Sequence, residues 1–303
     1  MARKLIYCAL SALLALGACV AQDRSPRQAL INELVTITDT VPGTVGIAFV
    51  SSTDTITLNN GVRYPMMSVF KLHQALAVSE YLQQTNADLD SALTVTASEI
   101  DTATWSPMLK DFSSSGFDIS IGKLIDYSLT VSDNNASNIL FGRCVSPLLT
   151  DSLVKNMAAD TTFQILYSEG EMKRDHSLSL ANYTSPLSAA ILIRQLFTEQ
   201  LVNPENQEMI KSLLANVTTG QDRLGAALPA DGAVFLAHKT GSGYRTPAGE
   251  LIAHNDVGYF RLPDGRDYAL AVMIRNYAGT EAEASAIMAR ISRIFLHYMQ
   301  SPR

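Results

Sequence analysis

Three clusters of side chains in this sequence carry groups able to attack, protonate or bind a substrate. Ser68-Val69-Phe70-Lys71 sets a hydroxyl and an amine at the i, i+3 spacing, which places both on one face of a helix. A serine hydroxyl becomes an effective nucleophile only when a base takes its proton. A lysine can be that base once burial or a helix N-terminus lowers its pKa. A serine in a first helical turn also offers a backbone N–H to a developing oxyanion. The same spacing recurs at Ser120-Ile121-Gly122-Lys123 and Ser152-Leu153-Val154-Lys155, so the tetrad alone selects nothing, and any copy reads equally as two surface residues. Ser132-Asp133-Asn134 offers a hydroxyl that could relay a proton and an amide that could orient a substrate. The same residue types also favour helix N-caps. Lys239-Thr240-Gly241-Ser242-Gly243 closes a strand-like run. It supplies a cation for a carboxylate, two hydroxyl donors and a glycine that lets a ligand near the backbone. Its plainer reading is a strand running into a turn.

The elements that must position these groups follow from periodicity. A helical period covers residues 26–39, opened by Ser25-Pro26 as cap and first turn. Gly46–Val50 and Thr55–Leu58 are β-rich and spaced as a hairpin. Helical spacing then dominates from Ser68 to Leu224, with segments at 72–82, 121–129, 136–141, 186–197 and 205–216. Strand-like runs return at 233–236, 256–262 and 268–274, the last two joined by the turn Pro263-Asp264-Gly265, and 281–299 closes the chain as an amphipathic helix. Helix and strands, a long helical insert, then strands and helix predict an α+β fold with two lobes. An antiparallel sheet flanked by helices, from residues 25–65 and 217–303, would face an all-helical lobe of residues 66–216. The groove between lobes is the natural place for a site.

Composition narrows the setting. The chain is 47 % hydrophobic and 17 % charged with a formal net charge of −6, a globular balance that argues against a nucleic-acid partner. Residues 1–21 read as a signal peptide: Arg3 and Lys4, an apolar run from Leu5 to Ala18, then small residues before Asp23. Leu16-Gly17-Ala18-Cys19 also resembles a bacterial lipoprotein cleavage box, leaving cleavage near Ala21 and lipidation of Cys19 both open. Either route places the protein in the periplasm or outside the cell, secreted or tethered to a membrane. Cys144 is then the one thiol of the mature body, read as a buried structural residue. The five histidines form no HxH, HxxH or HExxH pair, so no metal site and no cofactor is expected.

Taken together and in this order, Ser68-x-x-Lys71, Ser132-Asp133-Asn134 and Lys239-Thr240-Gly241 resemble the motif set of the class A serine β-lactamases. The resemblance runs over nearly the whole mature chain and selects Ser68 among the three tetrads. It implies the two-lobed serine β-lactamase/penicillin-binding-peptidase fold. The implied activity is hydrolysis of the β-lactam amide bond of cephalosporins and penicillins through an acyl-serine, conferring antibiotic resistance. A monomer acting on a small molecule, without metal or cofactor, is implied as well. Ser68 would be the nucleophile, Lys71 its activating base and Ser132 the proton relay. Asn134, Lys239, Thr240 and Ser242 would bind substrate, with the N–H groups of Ser68 and Ser242 around the oxyanion. The family's deacylating glutamate falls at Glu169 when the chains are aligned on Thr184-Ser185-Pro186. Glu171 is its rival, read as a solvated carboxylate. Lys173 departs from the family's usual asparagine, which bears on how water is positioned.

Tyr64–Lys71, Trp105-Ser106-Pro107-Met108, Ser132–Asn138 and this divergent loop are similar to a second branch of class A that leans toward cephalosporins. That likeness implies that Asn138 braces the Glu169 segment, that Trp105 lines the cleft mouth and that Arg223 supports the carboxylate pocket. Trp105 reads equally as a core aromatic, and Arg223 as a surface residue near a helix end. The rival functions are a D-alanyl-D-alanine peptidase, which Glu169 argues against, and a non-catalytic envelope binding protein, which the intact Ser68, Lys71 and Lys239 argue against.

Overall fold

The computed structural model describes residues 25–301; the leader and Cys19, on which the export and lipidation readings rest, lie outside them. Helix α1 (Pro26–Asp39) begins with Ser25 accepting a hydrogen bond from Gln28 N and proline in the first turn, so the cap satisfies one free amide and proline removes another. Strands β1 (Thr44–Ser51) and β2 (Thr55–Leu58) form the expected hairpin. The short strand β3 (Tyr64–Pro65) leads through a 3-10 turn, Met67–Val69, into α2 (Phe70–Thr85). The helical lobe continues with β4 (Ala92–Thr96) and β5 (Gly116–Ser120), then α3 (Ile121–Thr130), α4 (Asn134–Arg143) and α5 (Pro147–Met157). After β6 (Phe163–Gln164) come α6 (Glu169–Arg174), β7 (Tyr183–Thr184), α7 (Pro186–Thr198) and α8 (Pro204–Ala215). Strands β8 (Phe235–Ser242), β9 (His254–Arg261) and β10 (Asp267–Arg275) precede α9 (Glu281–Gln300).

Five strands pair antiparallel in the order β2-β1-β10-β9-β8, so strands from both ends of the chain share one sheet. Gly265, at φ +86°, makes the turn between β9 and β10, a backbone region that glycine enters without a Cβ clash. Because side chains alternate across a sheet, Ile47, Phe49, Leu270 and Val272 join α1 and α9 on one face. Ala48, Ala237, Ala269 and Ala271 join the helical residues on the other. Their small side chains let α7 lie close against the sheet, where Phe197 stacks on Tyr259 at 4.2 Å between centroids.

The helical segments expected from periodicity are all present. Two things differ. The strand expected from Ala233 begins at Phe235, because Gly232 at φ +70° and the bond from Ala233 N to Asp231 Oδ1 hold a turn there. The insert is also broken by short strands, β4 paired with β5, and β6 and β7 in a small sheet with β3, whose runs of two to five residues are too short to show an alternation.

Candidate active site

The site is assembled where the start of α2, the start of α4, α6 and the end of β8 meet. Ser68 sits in the 3-10 turn at the head of α2, and the residue before it, Met67, is held at φ +45°. Ser132, just before α4, is likewise left-handed at φ +58°. Non-glycine residues in that region carry strain that the surroundings must impose, and both occur at hydroxyl-bearing corners of one cleft. Asp133 imposes the second: it caps α4 by accepting from Ala136 N and also accepts from Ser106 Oγ and Met108 N. The N-cap reading of Ser132-Asp133-Asn134 is therefore met at Asp133. Asp133 caps, and its neighbours on either side face Lys71.

Lys71 is completely buried. Its Nζ donates to Ser68 Oγ at 3.2 Å, Asn134 Oδ1 at 2.7 Å and the Ser132 carbonyl at 2.9 Å, and lies 3.1 Å from Glu169 Oε1. Burial pushes the Lys71 ammonium below its ordinary value, with the Glu169 carboxylate pulling the other way. Ser68 Oγ in turn donates to Glu169 Oε1 at 3.2 Å. Lys239, also fully buried, donates to Ser132 Oγ at 3.1 Å, and Lys71 Nζ lies 3.4 Å from the same oxygen. Burial lowers Lys239 well below the usual lysine range, and the neighbouring Lys71 charge adds to this. Two depressed lysines thus share one serine hydroxyl, an arrangement able to move a proton.

Alternation along β8 sends Lys239 and Gly241 to one side and Thr240 and Ser242 to the other. Gly241 passes so close to the serine turn that a Cβ there would meet Met66 O at 2.4 Å. Thr240 Oγ1 lies 2.6 Å from Thr219 Oγ1, and Ser242 Oγ accepts from the buried Arg223 at 2.6 Å. Arg223 also donates to the Asn255 carbonyl at 2.7 Å, so it lies behind the strand end and not at the surface. Trp105 is 63 % exposed at the cleft mouth, its Nε1 donating to the Val131 carbonyl; the core alternative for it does not hold. Ser68, Ser132, Asn134, Glu169, Thr240 and Ser242 all line one cleft of about 620 Å³.

Glu169 opens α6, and Glu171 turns back to accept from Ser168 N and Ser168 Oγ in a capping box. The rival carboxylate is thereby committed to the helix start, and not simply solvated. Asn138 accepts from Gly170 N at 3.0 Å, directly beside Glu169. The residues given a site role from the sequence (Ser68, Lys71, Trp105, Ser132, Asn134, Asn138, Glu169, Arg223, Lys239, Thr240 and Ser242) lie in or immediately behind this cleft. Sequence reasoning missed Thr104, which accepts from Asn134 Nδ2, and Thr219. It also missed Asn255, whose Nδ2 donates to the Pro65 and Met66 carbonyls. No local pattern marks these, since each acts on a partner distant in the chain. The other two tetrads are surface pairs: Lys123 binds Asp126 and Lys155 binds Asp151. Cys144 is buried, which pushes its thiol up to about 11, as expected of a structural cysteine.

A hydroxyl held between an amine and a carboxylate, in a cleft between a sheet edge and a helical lobe, is the arrangement of a serine acyl-transfer hydrolase. Residues 27–299 match the β-lactamase enzyme family. A β-lactamase of Phocaeicola vulgatus is 43 % identical over 266 residues, 88 % of this chain and 83 % of that protein. The extended-spectrum β-lactamase PER-1 of Pseudomonas aeruginosa is 31 % identical over 82 % of this chain and 80 % of its own length. Among solved structures, a class A β-lactamase from Bacteroides cellulosilyticus superposes with a TM-score of 0.86 at 30 % identity, covering 92 % of this chain and all of that one. The chain belongs to the class A serine β-lactamases.

Proposed function

We propose that Ser68, Lys71, Ser132 and Glu169 carry out the hydrolysis of cephalosporins and penicillins by this enzyme. The observation that supports this most is that Ser68 Oγ lies 3.2 Å from both Lys71 Nζ and Glu169 Oε1. Ser68 Oγ attacks the lactam carbonyl carbon as its proton passes to Lys71 or Glu169. The N–H groups of Ser68 and Ser242 bind the oxyanion. The C–N bond breaks as Ser132 passes a proton to the ring nitrogen, resupplied through Lys71, and an acyl ester on Ser68 remains. Glu169 then takes a proton from water, whose oxygen adds to the ester carbonyl; the ester bond breaks and Ser68 recovers its proton. Lys239, Thr240 and Ser242 hold the substrate carboxylate, with Arg223 behind Ser242. Asn134 orients the acylamino group, Trp105 borders the cleft mouth and Asn138 braces Glu169.

The enzyme acts as a monomer in the periplasm, exported by the segment at residues 1–21, with Cys19 the point of attachment if the leader is cut there. Among the described residues no helix is long and apolar enough to cross a membrane. Hydrolysis of a chromogenic cephalosporin by protein recovered from the periplasm tests the activity. Many turnovers per enzyme are expected. One equivalent followed by a stall marks a peptidase, and no reaction marks a binding protein; either outcome removes the proposal. Intact mass of the same preparation reports the cleavage point and any lipid.

A further inference from the structure

Lys173 lies four residues after Glu169, one turn along α6, and both side chains border the catalytic cleft. The Lys173 ammonium makes a short ion pair with Asp101, in the segment that leads to Thr104 and Trp105. Asp101 is not a loose partner. Its backbone N–H donates to Asn135 Oδ1 at 2.9 Å and its carbonyl accepts from Asn135 Nδ2 at 3.0 Å, and Asn135 is fully buried in α4. One turn on, Asn138 holds Gly170 N. The contacts therefore close a ring: α4 to Asp101 through Asn135, Asp101 to Lys173, and α6 back to α4 through Gly170 and Asn138. A second pocket, of about 650 Å³, adjoins this ring and is bordered in part by Asp101, Asn135, Asn138, Gly170 and Lys173. A six-residue helix beside a cavity has little stability of its own, so its carboxylate stays in place only as far as its ends are tied. The Lys173 ammonium also holds the Asp101 carboxyl below the ordinary carboxylate range.

We propose that Asp101 and Lys173 are positioning residues for deacylation: their ion pair closes the ring that keeps α6, and with it Glu169, aimed at the acyl ester on Ser68. This rests on the proposed role of Glu169 and adds the means by which that carboxylate is held. Neither residue touches the reacting atoms. Attack by Ser68 can use Lys71, which is anchored in α2 and α4 contacts, whereas attack by water depends on where α6 puts Glu169. Loosening the ring thus slows the second step selectively.

The test separates the two steps in Asp101→Ala, Lys173→Ala, the double variant and the charge-swapped pair Asp101→Lys with Lys173→Asp. Acylation is followed by stopped flow, and deacylation by the decay of a pre-formed acyl-enzyme in intact mass. Both single variants should deacylate about threefold to fivefold more slowly, the scale of a half-exposed ion pair, with acylation unchanged. The double variant should be no slower than either single one, and the swap should recover part of the rate. Wild-type enzyme in about 1 M salt should show the same selective slowing, because ions screen such a pair. Unchanged deacylation, equal loss in both steps, or single effects that multiply in the double variant would each overturn the proposal. A Glu169→Ala control that still traps the adduct keeps such a failure distinct from failure of the Glu169 assignment.

Discussion

Two groups can take the proton of Ser68, and their surroundings bias the outcome when one is removed. Lys71 Nζ and Glu169 Oε1 both stand 3.2 Å from Ser68 Oγ and 3.1 Å from each other. The carboxylate raises the lysine pKa against the burial that lowers it. Replacing Glu169 by alanine removes that support, so Lys71 loses its proton more readily and can still accept the one from Ser68. Water attack, by contrast, loses its base. Glu169→Ala is therefore expected to acylate and then stall, with deacylation slowed on the order of 100- to 10,000-fold, and a Ser68 adduct visible by intact mass. Rapid turnover in this variant would remove Glu169 from its assigned role.

At the scale of elements, the cleft depends on how closely β8 can approach the turn that carries Ser68. Gly241 pairs with Asn255 across β8 and β9. Asn255 Nδ2 holds the Pro65 carbonyl at 2.8 Å and the Met66 carbonyl at 3.2 Å. That tether sets the strained Met67 backbone, and the bare Cα of Gly241 leaves room for it: an added Cβ would lie 2.4 Å from Met66 O, a backbone atom that cannot swing aside. Gly241→Ala should displace β8 from the nucleophile, lowering kcat/KM by about tenfold or more, since small misplacements of reacting groups cost that much or greater. Stability should fall by about 1–3 kcal/mol, as overpacking does. Steady-state kinetics beside a thermal melt check it; wild-type kcat/KM would show that the close approach is not needed.

Across the whole molecule, one apolar cluster runs from the sheet residues Ala237, Val257 and Ala269 into the helices of the opposite lobe. We propose that the division into residues 25–65 with 217–303 and residues 66–216 is one of shape, with the two lobes unfolding together. Two buried histidines then make that unfolding acid-sensitive. Burial lowers His73 to about 3 and His254 to about 4, from an ordinary 6.5. Both are neutral when folded and bind protons on unfolding below pH 6.5, so the unfolded chain carries more protons and stability rises with pH in that window. The stabilisation is complete above about pH 6.5 and is lost progressively as pH falls toward about 4. Chemical denaturation at several pH values should show a single transition, losing up to about 1.4 kcal/mol per pH unit for each histidine. A flat profile from pH 6.5 to 4, or two separate transitions, would contradict it. Glu99, held down to about 2 mainly by its bond from Arg143, acts in the same direction at still lower pH.

Features whose physics is local were legible in the sequence alone. The i, i+3 spacing of Ser68 and Lys71, the caps at Ser25 and Asp133, the turn at Gly265 and the sheet's alternation depend on neighbours a few residues apart. The order of the three motifs then singled out the Ser68 tetrad. What the tertiary structure decided involves partners far apart in the chain. Alignment favours Glu169 over Glu171 without giving a physical reason; in the fold, two residues along a helix point them apart, one to Ser68 and one back to Ser168. The departure at Lys173 had no interpretation until Asp101 was found beside it. Asn255 and Arg223 acquired their places only when β8 and β9 paired behind the nucleophile. A periodic pattern records which face a residue occupies, and only folding determines what that face meets.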